Sequence, residues 1–97
     1  MIVLVAKYVV QPGHIDTVLD RLREMKPRVD AEEPGCTFYQ VSRSTEQEDL
    51  VLLYEHYVDE DALLGHRDTA HFKEIIEGQV VPLLVERQRE LYSLAIG

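Results

Sequence analysis

The sequence predicts an α+β domain: a ferredoxin-like antiparallel sheet in the order β-α-β-β-α-β, with two helical segments on one face. Three observations carry this reading. Residues 2–11 are rich in Val, Ile and Leu, and with 36–43 (CTFYQVSR), 50–58 (LVLLYEHYV) and 88–95 (QRELYSLA) they read as strands. Between the first pair and the last pair, apolar residues recur at helical spacing instead. Pro-Gly pairs at 12–13 and 34–35 punctuate the first two junctions. Ninety-seven residues suffice for one domain, 1–97, and there is no linker, low-complexity tract or solenoid-length repeat to divide it.

The elements follow in order. The first strand ends at Pro12-Gly13. Ile15, Val18, Leu19, Leu22, Met25 and Val29 then fall on one face of a helix whose other face is charged, and Asp16 suits the positive end of its dipole. Pro27 lies inside that helix and is expected to kink or loosen its last turns, and Glu33-Pro34-Gly35 stops it. Strands 36–43 and 50–58 flank the polar loop STEQED, which suggests an antiparallel hairpin. Asp59 is an N-cap for a short helix through Leu64, which Gly65 can end. Thr69 caps the next helix, where Phe72, Ile75, Ile76, Val80 and Leu83 form a stripe that Gly78 and Pro82 should end or distort near residue 80. The closing strand at 88–95 belongs to a charge-rich run, VERQRELY, which reads as a guarded sheet edge or as a strand reaching across a dimer.

A sheet covered on one side should alternate apolar and polar residues. Here Leu4, Ala6 and Tyr8 share one parity of the first strand, while Val3, Val5 and Val9 share the other. The third strand sets Leu50, Leu52 and Tyr54 against Val51, Leu53 and Tyr57. Both faces are apolar, and helices cover only one. The simplest cover for the second is another copy of the chain, so a homodimer with sheets packed face to face is expected.

Charge narrows the partners. The formal net charge of −8 repels nucleic-acid phosphates and anionic membranes, so no nucleic-acid or membrane partner is expected. No apolar run reaches the roughly 18–20 residues that span a bilayer. The start, MIVLVAKYVV, has no basic leader region or cleavage site, and Lys7 interrupts it. The single cysteine, Cys36, can form no internal disulfide, which fits a reducing compartment. A cytoplasmic location is expected.

Three stretches carry a resemblance: PGH opening the first helix, EPGCTFYQV leading into the second strand, and YEHYVDEDALLGHRDTAHF at 54–72. With them the chain resembles the antibiotic biosynthesis monooxygenase domain family over essentially its whole length. Within that family it is similar to small quinol monooxygenases and to the isomerase of phosphorylated autoinducer-2. The resemblance implies a dimeric α+β barrel and a small-molecule pocket between sheet and helices. It also implies oxidation of quinols or phenols by molecular oxygen with no metal, flavin or other cofactor. The family fixes fold better than reaction. Its haem-degrading members are marked by Asn, Trp and His, and this chain has neither Asn nor Trp.

His66 and His71 are the first candidates for catalysis. On one continuous helix they would face about 140° apart. The Gly65 and Thr69 signals suggest a break that lets both turn toward one pocket. His66, just beyond a helix C-terminus, would then favour the imidazolium and donate to a substrate oxygen. His71, in a first turn, would favour the neutral ring and act as base. The alternative is that each ring satisfies a backbone group at the junction and does no chemistry.

Tyr54 is a third catalytic candidate, as a phenol donating to substrate or as pocket wall. Glu55 has the opposite parity and cannot share its cavity. Glu55, His56 and Phe72 are candidate substrate-binding residues. Glu55 reads equally as a buried partner of a cation across the sheet or dimer interface. Arg43, Arg67 and Lys73 could hold an anionic group or simply be solvated. His66-x(4)-His71 matches no zinc-site spacing, so no metal is expected. Three functions remain open. One is a cofactor-independent monooxygenase taking a small quinol or phenol and oxygen. The second is an isomerase of a small hydroxyketone, phosphorylated or not, and the third is a non-catalytic dimeric binding module.

Overall fold

The computed structural model describes residues 1–97. Strand β1 (Ile2–Val10) enters a turn in which Gly13 adopts φ 85°, a conformation that glycine takes at no steric cost, and helix α1 (Ile15–Glu32) follows. Then come β2 (Cys36–Arg43), β3 (Leu50–Tyr57), helix α2 (Glu60–Asp68), helix α3 (Phe72–Val80), a single 3-10 turn (Val81–Leu83) and β4 (Leu84–Ser93). The strands form one antiparallel sheet in the order β2-β3-β1-β4. This is the ferredoxin-like α+β arrangement that the element order predicts.

Burial alternates along β3, with Val51, Leu53, Glu55 and Tyr57 under the helices and Leu50, Leu52, Tyr54 and His56 half-buried on the other side. Register carries the same alternation into β1, where Leu4, Ala6, Tyr8 and Val10 face the helices. Against them packs the stripe of α1, in which Val18, Met25 and Val29 are fully buried, together with Ile75, Ile76 and Val80 of α3. No helix is long and apolar enough to cross a membrane.

Helix α1 contains Pro27, which leaves the Arg23 carbonyl without its usual amide partner, and it stops at Glu32 as the Glu33-Pro34-Gly35 signal predicts. Several other local expectations are corrected. Gly65 does not end α2. The helix continues to Asp68, and its stop is Thr69, whose backbone is extended and whose hydroxyl donates to the His66 carbonyl at 2.8 Å. His66 therefore sits in the last turn of α2, not beyond it. Asp59 caps this helix by accepting from the Ala62 amide at 2.8 Å. Helix α3 is π-wound throughout rather than distorted only near its end, and Pro82 lies in the 3-10 turn that follows. Strand β4 starts at Leu84, not 88, because it pairs with the whole of β1, with a bulge at Val9/Val10.

The EPG turn is held close to α2. A Cβ on Gly35 would lie 2.6 Å from the Ala62 Cβ, and the Gly35 carbonyl accepts from the Val58 amide at 2.9 Å. The Gly35→Ala variant is therefore expected to lose about 1–3 kcal/mol through overpacking. Urea denaturation measures this, and an unchanged midpoint would refute the close approach.

Candidate active site

A cavity of about 380 Å³ lies between the helix-facing side of the sheet and helices α2 and α3. Ala6, Tyr8 and Leu53 form its floor, and Leu63, Phe72 and Ile76 its apolar walls. That volume is within the range of small-molecule sites.

Its buried polar side chains form one connected set. Glu33 caps the C-terminus of α1, and its carboxylate reaches under α2. Oε1 of Glu33 lies 2.7 Å from Nδ1 of His66, and Oε2 lies 2.6 Å from Nε2 of His71. All three residues are buried. Burial pushes the Glu33 carboxyl up, but hydrogen bonds from His66 and His71, together with their charge, outweigh it and hold the group below the ordinary glutamate value. An ionised carboxylate only accepts hydrogen bonds. Both facing nitrogens must therefore carry protons, and in neutral His66 the lone pair resides on Nε2.

That Nε2 faces the second acid, with Oε1 of Glu55 3.8 Å away. Glu55 is 2% exposed and accepts a short hydrogen bond from the Tyr57 hydroxyl. Burial raises its carboxyl, and the neighbouring His66 and the Tyr57 hydroxyl only partly oppose that. The field of Glu55 acts on the phenols around it. Burial and then this carboxyl push Tyr8 up to about 12 and Tyr57 far above its ordinary value. Two carboxyls thus flank one imidazole, one driven down and the other up. Such a separation assigns one group to hold charge and the other to carry a proton.

Of the residues singled out from sequence, His66, Glu55 and Phe72 line the cavity. The His66 ring also packs edge-on against Phe72, 5.0 Å between centroids. His71 is 1% exposed and does not line the cavity; it meets His66 only through Glu33. Tyr54 and His56 are placed elsewhere. They lie on the opposite face of the sheet, clustered with Phe38 at 5.7 and 5.2 Å, because strand parity sends them away from the helices. Within this chain the contacts of Glu55 are a phenol and an imidazole, and Arg89 acts on it only from beyond ion-pair distance, as a charge that lowers its carboxyl. Arg67 lines the cavity, whereas Arg43 pairs with Asp16 at 3.9 Å, away from it.

Glu33 is a site residue that the sequence does not reveal, because a glutamate before Pro-Gly also reads as a plain helix stop. Tyr39 is another. It is 2% exposed and lines the cavity, with a hydroxyl that has no hydrogen-bond partner. Arg87 and Arg89, which by charge pattern belong to a guarded edge, both line the cavity.

Known proteins share this architecture. A family model described as antibiotic biosynthesis monooxygenase matches residues 1–78. A Caulobacter crescentus protein provisionally named an antibiotic biosynthesis monooxygenase superposes with a TM-score of 0.91 at 29% identity, over 98% of this chain and 90% of that one. A conserved Methanosarcina mazei protein gives 0.86 at 27% identity, over 94% and 89%. A Pseudomonas aeruginosa protein gives 0.85 at 26% identity, over 97% and 94%. No curated protein matches the sequence.

Proposed function

The chain belongs to the antibiotic biosynthesis monooxygenase family, and we propose that it is a monooxygenase oxidising a quinol or small phenol with molecular oxygen, the electrons coming from the substrate itself. The observation that carries this reading is the Glu33–His66 pair, which leaves the His66 Nε2 lone pair on the cavity wall. Nε2 takes the proton of a substrate hydroxyl, and Glu33 stabilises the imidazolium that forms. The resulting phenolate is electron-rich enough to reduce oxygen in the cavity. For a quinol the balance is one oxygen atom into the ring, the other released as water, and a hydroxyquinone as product. Glu55, with its raised carboxyl, supplies a proton to the departing oxygen. Tyr39 offers its unpartnered hydroxyl to a substrate oxygen. His71 acts through Glu33 and fixes its orientation.

Mass spectrometry of the product formed under isotopically labelled oxygen tests this. One labelled atom per product is expected. A product formed equally well without oxygen would overturn the reading in favour of an isomerase, which a base 3.8 Å from a carboxyl raised by burial also suits.

We extend the proposal to a homodimer. The sheet face away from the helices exposes Val5, Val9, Leu50 and Leu52 in part, and leaves Phe38 37% and Tyr92 50% exposed. His56 Nε2 on that face is shielded from solvent with no hydrogen-bond partner, a cost that a second copy can relieve. Sedimentation at micromolar concentration is expected to give a dimer, and an 11.2 kDa species alone would refute it.

A further inference from the structure

The chain has seven arginines. Arg21, Arg23, Arg28 and Arg43 each have a carboxylate oxygen within 4.0 Å. Arg67, Arg87 and Arg89 have none, in a chain where acidic residues outnumber basic ones by 18 to 10. All three unpaired arginines line the cavity. Arg67 follows His66 on α2. Arg87 and Arg89 sit two residues apart on β4, opposite Tyr8 and Ala6 of β1, so both project to the helix side. Their mutual repulsion shows at Arg89, whose guanidinium is pushed down by burial and then by Arg67.

Glu55 and Glu77 line the same cavity, but neither comes within 4.0 Å of a guanidinium, so all three exposed forks are open to a bound anion. Guanidinium forks match the planar oxygens of a carboxylate or phosphate in a way that a solvated lysine does not. Arg87 and Arg89 also lie beyond residues 1–78, so this cluster is completed by a strand outside the part that the family model matches.

We propose that the substrate is an anion: a small ring compound whose carboxylate or phosphate sits among Arg67, Arg87 and Arg89 while its hydroxyl faces His66. The orientation at His66 rests on the monooxygenase reading above, but the anion subsite does not. The test is titration calorimetry with redox-inert probes, namely benzoate, phenyl phosphate and uncharged benzamide. At least one anion should bind about tenfold or more tighter than benzamide, and the tighter of the two identifies the acidic group. Arg67→Gln and Arg89→Gln should each weaken it about tenfold, whereas Arg43→Gln should not. Binding should also fall at about 1 M salt, where charge attraction at exposed groups is screened within a few ångströms. Thermal melts matching the wild type exclude misfolding of these variants. The proposal is overturned if benzamide binds as tightly as both anions, or if the cavity variants bind as the wild type does. If anions bind but no quinol consumes oxygen, the monooxygenase reading falls and this subsite stands. Quinol turnover without anion preference has the opposite meaning: the subsite falls and the monooxygenase stands.

Discussion

His66→Asn should reduce oxygen uptake with a good quinol by about 10²- to 10⁴-fold, the usual contribution of a positioned general base. Asparagine keeps a polar group near Glu33 but has no basic nitrogen to place on the cavity wall. The loss should fall mainly on kcat, because the apolar floor of Ala6, Tyr8 and Leu53 is untouched. His71→Asn is expected to cost much less, since His71 touches Glu33 and not the cavity. This order reverses the roles expected from helix dipoles alone, which make His71 the base. Oxygen-electrode assays of both variants decide it: a larger loss at His71 than at His66 would overturn the assignment.

Changing Glu33 should have the largest effect on stability. Glu33→Ala strands two buried ring N–H groups, and unpaired buried donors cost about 1–3 kcal/mol each. Glu33→Gln keeps the shape but offers one acceptor and one donor, so one of the two histidines must change tautomer. Where that is His66, the proton moves to Nε2 and the base is lost. The glutamine variant should therefore stay folded while activity falls, and the alanine variant should lose both.

The pH dependence has a definite sign. The folded carboxyl of Glu33 lies below its ordinary value of 4.5. Its contribution to stability is thus complete above about 4.5 and is lost as pH falls through the lower folded value. The stability gap between wild type and Glu33→Gln should narrow as pH drops below about 4.5. A gap that stays constant down to strongly acidic pH would show that Glu33 is not held ionised by its two histidines. Urea denaturation across that range makes the measurement.

How much of the site can be read from the chain alone depends on the kind of signal each residue leaves. His66, Glu55 and Phe72 stand in one short stretch with marked strand and helix periodicity, so their elements are readable and their faces follow. Tyr54 stands in the same stretch, but parity in a strand is absolute, and it carries the side chain to the opposite face. Glu33 lies 33 residues before His66. Nothing local distinguishes a glutamate that ends a helix from one whose carboxylate is buried between two imidazoles. Arg87 and Arg89 show alternation but not which parity turns inward, because register is set by pairing with β1.

Periodicity and turn chemistry act over a few residues, and what they settle is local. They establish the element order, the apolar stripes that drive the helices onto one sheet face, and the presence of imidazole and carboxyl groups near one helix junction. Packing between remote segments establishes the rest. It joins His66 to His71 through Glu33, turns the other ring nitrogen of His66 toward the cavity, and brings together three arginines without ion-pair partners. Each of these depends on distances that no short stretch of chain encodes. Burial then fixes the chemistry of Glu33, His66 and His71, by removing the water that would otherwise satisfy and screen them.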